Sequence, residues 1–288
     1  MRWRLVALAG LLAATRCGRG EPRDRGPATG SGEPVAQPTA APSGLPEPPP
    51  LDEALLRRHT VALADDAMQG RGPGTEGGAR AVAYIVAQLE ALGVEPAGEG
   101  GGWTQTVPMR TVRLDPARSS FALHQGPGEP QPLALGAQLV ATSPGPAGST
   151  QLDAPLVFVG HGITAPEYGW DDYGDADLRG AIAVARVGDP PLDDRDDRDD
   201  RFEGPALSAY GRWSYKFERA QQAGALGCLV VHETKAASYD WEVVRSSFSG
   251  ARTFLREPPR PRLALQGWIH GDVARRLAAA SEGGWPGW

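Results

Sequence analysis

The residues that could do chemistry are few and scattered. The chain holds five histidines, His59, His124, His161, His232 and His270. A catalytic zinc takes three protein ligands at about 2.0–2.3 Å and keeps a fourth position open for water. Only His270-Gly271-Asp272 sets a histidine and an aspartate two residues apart, and Asp272 there reads as the N-cap of a following helix. No Glu-Glu pair occurs in the sequence. His161 lies between two glycines and reads as a turn residue. His232-Glu233 follows an apolar run, and Cys228 sits inside that run, where it reads as a buried, unreactive thiol. Ser208 and Ser214 have no paired base beside them in sequence, so no nucleophile is indicated. Asp193 to Arg201 is a three-residue aspartate–arginine repeat. Clustered carboxylates suit calcium, but an arginine at every third place compensates them, and the spacing is not that of an EF-hand. It reads as a solvated loop. From residue types and spacing, then, no catalytic residue, no metal ligand and no cofactor-binding residue is assigned.

The elements that position these residues divide the chain into stretches. The first 17 residues resemble an export signal: Arg2 and Arg4, a short apolar run from Leu5 to Ala14, then small residues. The run is too short to cross a bilayer as a helix. Cys17 is the candidate lipidation site of a lipoprotein, although Arg16 before it fits such processing poorly. Residues 18–50 are rich in Pro and Gly and poor in large apolar side chains, so they read as a disordered tether. Structure is expected from Leu51. A helix over Leu51 to Met68 is followed by Gly70, Gly72 and Gly74, which form a helix-to-helix turn rather than a dinucleotide fingerprint, since no strand precedes them. Val82, Ile85, Val86 and Leu89 then mark a helix from Glu76 to Leu92, with Thr75 as N-cap and Gly93 as its stop.

After Trp103 the period shortens to that of strands. Strands are expected at Thr104–Val107, Phe121–Leu123, Leu156–Val159, Ala181–Val187 and Leu226–Val231. A helix from about Trp213 to Ala223 precedes the last of these as a crossover. A final helix is expected from Asp272 to about Ser281. The aromatic group Tyr210, Trp213, Tyr215 and Phe217 reads as packing rather than as a peptide-binding face. The fold class is α/β, mixed and strand-rich. With a net charge of -6 and a pI near 5.5, the chain has no electrostatic reason to bind nucleic acid.

Several segments in order resemble one family. Asp65-Asp66-Ala67-Met68-Gln69-Gly70-Arg71-Gly72-Pro73-Gly74-Thr75 and Trp103-Thr104-Gln105-Thr106-Val107-Pro108 resemble the opening of secreted zinc aminopeptidases of clan MH. Phe158-Val159-Gly160-His161-Gly162-Ile163 and Tyr168-Gly169-Trp170-Asp171-Asp172-Tyr173 resemble the protease-associated (PA) domain inserted into such enzymes. So do Asp177-Leu178-Arg179-Gly180-Ala181-Ile182-Ala183-Val184, with Ala181 where lysine is usual, Tyr210-Gly211-Arg212-Trp213-Ser214-Tyr215-Lys216-Phe217-Glu218 and Val231-His232-Glu233-Thr234.

The resemblance implies a division into a signal segment (1–17), a tether (18–50), a helical N-terminal piece of a peptidase domain (51–105), a PA domain (106–270) and a terminal helix with a tail (271–288). It implies zinc and peptide or protein substrates for the complete enzyme, whose two-zinc half is expected beyond this chain. Two readings stay open. One is the non-catalytic front part of an exported, zinc-dependent aminopeptidase-like protein. The other is a stand-alone PA module that holds a peptide or partner, secreted or tethered to a membrane through lipidated Cys17.

Overall fold

The computed structural model describes residues 3–13, 50–125, 127–144, 148–190, 202, 206–257, 263–281 and 284. Cys17, residues 18–49 of the expected tether, the repeat at 193–201 and nearly all of the tail after residue 281 lie outside the described residues. The chain divides into two compact units, one of Gly18–Val107 and one of Met1–Cys17 with Pro108–Trp288.

The Gly18–Val107 unit is helical, with α1 (Glu53–Ala64) and α2 (Glu76–Ala91). Capping chemistry sets both ends of α2. The Thr75 hydroxyl accepts from Gly78 N at 3.1 Å, and Gly93 follows at φ 72°. α1 stops at Ala64, earlier than its apolar pattern suggests. Asp65 turns extended there, and its carboxylate accepts from Ala67 N at 2.8 Å to start a separate 3-10 turn, Asp66–Arg71. α2 packs on this turn, and a Cβ at Gly77 would stand 1.9 Å from the Met68 carbonyl oxygen, so only glycine permits the approach. No α1 residue is buried, and Leu56, Val61, Val82 and Ile85 are exposed. Thr104–Val107 is not a strand. This segment is held as a loop by Glu99, whose carboxylate accepts from Thr106 N at 3.2 Å.

The other unit is mixed α/β, as its patterning indicates. It contains β1 (Trp3–Ala13), β2 (Met109–Gln125), β3 (Gln131–Pro132), β4 (Leu139–Thr142), β5 (Ser149–Phe158), β6 (Thr164–Ala165), β7 (Trp170–Asp171), β8 (Ile182–Arg186), α3 (Trp213–Gln222), β9 (Gly227–His232), α4 (Thr234–Ala237), α5 (Trp241–Ser249), β10 (Arg252–Leu255), β11 (Leu265–His270) and α6 (Gly271–Ala279). The main sheet runs β10-β2-β1-β5-β8-β9-β11-β4, with β3 on β2, while β6 and β7 pair apart. β5, β8, β9 and β11 are parallel, and β4 closes one edge antiparallel to β11. α3 is the expected crossover between β8 and β9.

Alternation along the parallel strands builds two cores. Ile182, Val184, Leu229, Val231, Leu265 and Ile269 face α6 through Val273, Ala274 and Leu277. Ala183, Ala185, Cys228, Val230 and Trp268 face Phe217 and Ala220 of α3 and Val244 and Phe248 of α5. Such strands, buried on both faces, read in sequence as continuous apolar runs.

The N-terminal apolar run, read from sequence as an export signal, is strand β1 in this structure. It is antiparallel to both β2 and β5 and is the hydrogen-bonded link between them among the described strands. Leu5 and Ala7 are buried beside Phe121, Leu123 and Ala154. A short apolar run suits a membrane signal and a buried strand equally, because both require only apolar side chains over a short length.

Candidate functional site

The carboxyl ends of β5, β8, β9 and β11 lie together, because these strands are parallel. In open α/β sheets this is the end where ligands bind. β5 leads into Gly160-His161-Gly162, β8 into Val187-Gly188-Asp189, β9 into His232-Glu233, and β11 into His270-Gly271. Most of the residues singled out for chemistry therefore reach one end of the sheet.

The turn after β5 requires both glycines. Gly160 has φ 53°, and a Cβ there would lie 2.9 Å from the Asp172 carboxylate. Gly162 has φ 64°, and its Cβ would meet the Ala185 methyl at 3.0 Å. The turn drives the His161 ring inward, where Nδ1 lies 3.1 Å from the Gly188 carbonyl oxygen. That oxygen can only accept, so Nδ1 carries the hydrogen. The same carbonyl accepts from Lys216 Nζ at 3.1 Å. Lys216 is 0% exposed and shares the buried stripe of α3 with Phe217 and Ala220. Asp172 accepts from Ile163 N at 3.0 Å. Asp189 accepts from the Ser208 hydroxyl at 2.6 Å and from Ser208 N at 2.7 Å, which pins the loop before α3.

Burial dominates the electrostatics of this cluster. It lowers the Lys216 amine to about 7, against the pull of Asp189 and Asp172. It lowers His161 to about 4, and Lys216 and Arg186 push the same way. It raises the Asp172 carboxyl, against hydrogen bonds to the charged form. Cys228 is fully buried, its thiol is held protonated by desolvation, and it donates to the Lys216 carbonyl oxygen at 3.7 Å.

The rest of the helix motif also serves packing. The Tyr215 hydroxyl donates to Thr164 O at 3.0 Å and Arg219 Nε donates to Thr164 Oγ1 at 2.9 Å, which ties α3 to the β6–β7 hairpin. Tyr210 and Tyr215 stack edge-on at 5.1 Å beside Tyr168 and Phe202. Trp213 instead packs on Phe217, Phe248 and Trp268. The four aromatics are thus split between two clusters.

The histidines do not converge on one atom. His59 Nδ1 meets the Tyr84 hydroxyl at 2.8 Å in the helical unit. His232 Nε2 lies 2.9 Å from Tyr239 O. His232 and His270 are cross-strand partners, but Trp241 stacks against both rings. His270 is itself the N-cap of α6: its Nδ1 accepts from Asp272 N at 3.3 Å. This corrects the expectation that Asp272 caps the helix. The cap lies two residues earlier than expected and α6 starts at Gly271, so Asp272 falls in its first turn and bonds Arg275. Among the described residues, no three His, Cys, Asp or Glu side chains form a group able to hold a metal ion. His124, on β2 opposite Arg4, has no role in the cluster.

Sequence reading missed Lys216, Asp172 and Asp189 as a group. The available signal was a lysine inside the apolar stripe of α3, between a motif tyrosine and Phe217. A second feature is an apolar cleft of 170 Å³ between β2, β4 and α5, lined by Leu114, Pro116, Leu135, Val140, Phe248 and Arg245.

No protein-family model matches the chain, and no curated protein matches it significantly. Among solved structures, BSAP, a zinc aminopeptidase from Bacillus subtilis, is similar at 15% identity and a TM-score of 0.23, over 60% of this chain and 32% of that one. The chain therefore spans about a third of the length of that enzyme. A likeness at this level carries no argument about activity.

Proposed function

We propose that this chain is the non-catalytic N-terminal and PA-domain portion of an exported, zinc-dependent aminopeptidase-like protein, whose complete form removes N-terminal residues from peptides. The observation that carries this reading is how the motif residues are used. His161, Asp172 and Lys216, all from segments that resemble the PA domain, turn inward to bind the ends of β5 and β8 to α3. Residues spent on holding a loop against a helix make a scaffold. His161, His232 and His270 each have one ring nitrogen in a hydrogen bond, and among the described residues no three His, Cys, Asp or Glu side chains form a group able to hold a metal ion. Zinc belongs, in this reading, to the complete enzyme. Export, with a secreted or envelope location and a tether through lipidated Cys17, is part of the same proposal.

The cleft beside α5 favours a second reading, a module that binds a peptide or protein partner without chemistry. Its 170 Å³ is below the roughly 300 Å³ at which small-molecule pockets begin, and it suits one apolar side chain. Zinc loading followed by aminoacyl-nitroanilides tests both. We expect no turnover and no stoichiometric zinc. Chelator-sensitive turnover with near-stoichiometric zinc would show a site built across loops and overturn the non-catalytic assignment.

A further inference from the structure

β1 is attached to the sheet differently from every other strand. Residues 14–108 separate it from β2 in sequence, including both helices of the other unit. Yet it lies between β2 and β5 and is antiparallel to each, so those two strands run parallel to one another. Adjacent strands sit about 4.8 Å apart, so without β1 the edges of β2 and β5 would face each other across about twice that spacing. Each would then present a row of unpaired N–H and C=O groups, the arrangement that captures extended chains.

The gap is specific as well as open. Leu5 stands opposite Leu123 on one side and Ala154 on the other, and Ala7 stands opposite Phe121 and Leu152. Leu5 is 0% and Ala7 is 1% exposed. On the outer face, Arg4 Nε donates to the Asp153 carboxylate at 2.8 Å and Arg4 Nη2 donates to the Asp153 carbonyl oxygen at 3.1 Å. Main-chain pairing on two edges supplies affinity, and pockets for alternate side chains supply register. The sequence between Cys17 and Leu51 is rich in Pro and Gly and separates this segment from the helices that follow it in the chain.

We propose that the gap between β2 and β5 is a strand-acceptor site for an extended apolar peptide, filled in cis by Trp3–Ala13 and open to the same segment of a second copy in trans. The inference stands on strand pairing alone and is independent of the peptidase resemblance.

The test keeps the full chain. A protease site is inserted between residues 18 and 49, the folded protein is cut, and the products are separated by gel filtration. The N-terminal fragment is expected to co-elute with the remainder. A fluorescent peptide of residues 1–17 is then expected to exchange in. Its Leu5→Asp version binds at least tenfold more weakly. Its Arg4→Glu version binds about threefold more weakly and recovers on a chain carrying Asp153→Arg. If the remainder precipitates after losing the fragment, rescue by the wild-type peptide supports the site, and failure of rescue overturns it. A fragment that elutes free while the remainder keeps its circular dichroism and melting transition also overturns it. So does peptide binding that is indifferent to both Leu5→Asp and Arg4→Glu, since apolar adhesion has no register.

Discussion

The two halves of the main sheet are held together by different means. In the parallel half, β5, β8, β9 and β11 are neighbours in the sheet in the order in which they occur in the chain, with α3 crossing between β8 and β9. β8, β9 and β11 are largely buried on both faces while β5 is only partly covered, and the buried groups His161, Lys216 and His232 gather near the carboxyl ends of these strands. In the antiparallel half, β2 and β10 reach the rest of the sheet through β1, which comes from the far N-terminus. The parallel half therefore rests on local connections plus a buried polar cluster. The antiparallel half rests on one distant strand. The first should respond to pH, and the second to the state of β1.

The largest effect is expected from Leu5→Asp in the intact chain. It removes a fully buried leucine and places a charge among Phe121, Leu123 and Ala154. The two costs together should exceed about 5 kcal/mol. If the halves are separable, the near-ultraviolet signal of Trp213 and Trp268 in the parallel half survives while strand content falls. Loss of both signals in one transition would show that the sheet folds as a single unit and would dissolve the comparison.

His161→Gln should come next. The folded pKa of His161, about 4, lies below the ordinary 6.5, so the unfolded state binds more protons between those values. Stability of the native protein should thus be whole above pH 6.5 and fall by about 3 kcal/mol on acidification to pH 4. Asp172 acts in the opposite sense, because its raised carboxyl is relieved by protonation, and it offsets part of this loss. His161→Gln keeps a donor for Gly188 and removes the titration. Urea unfolding across the window should show a flatter slope in the variant, and an unchanged slope would place the acid sensitivity elsewhere.

Lys216→Met should have the smallest effect of the three. The buried amine, at about 7, binds fewer protons than an unfolded lysine at pH above 7. Native stability should rise by about 2 kcal/mol between pH 7 and pH 9 from this residue. The methionine variant should lack that rise, while His161 still satisfies the Gly188 carbonyl. Equal slopes in the two proteins would mean that Asp189 and Asp172 hold the ammonium charged in place.

Much of the parallel half could be read from the chain before any coordinates. Leu226–Val231 and Ala181–Ala185 are continuous runs without a charged residue, and α3 shows the 3.6-residue period between Trp213 and Gly224. α2 was legible to within a residue, because Thr75 and Gly93 carry their signals locally. β4 and β10 were not foreseen: they are short edge strands whose existence depends on partners distant in sequence. Thr104–Val107 shows the converse, a strand-like pattern with no strand to pair with.

The site divides in the same way. The sequence by itself determined which residues were scarce: five histidines, one lysine in a buried stripe, and glycines on either side of His161. Those facts, with local capping and periodicity, set the helices, the parallel strands and the sharp turn after β5. Only the tertiary structure decided that the Gly188 carbonyl accepts hydrogen bonds from both His161 and Lys216, that His270 rather than Asp272 caps α6, and that the N-terminal apolar run lies between β2 and β5. The physical reason is one of range. Capping and periodicity act within one or two turns of chain, whereas burial, and with it every shifted proton affinity in this cluster, depends on which distant segments exclude the water.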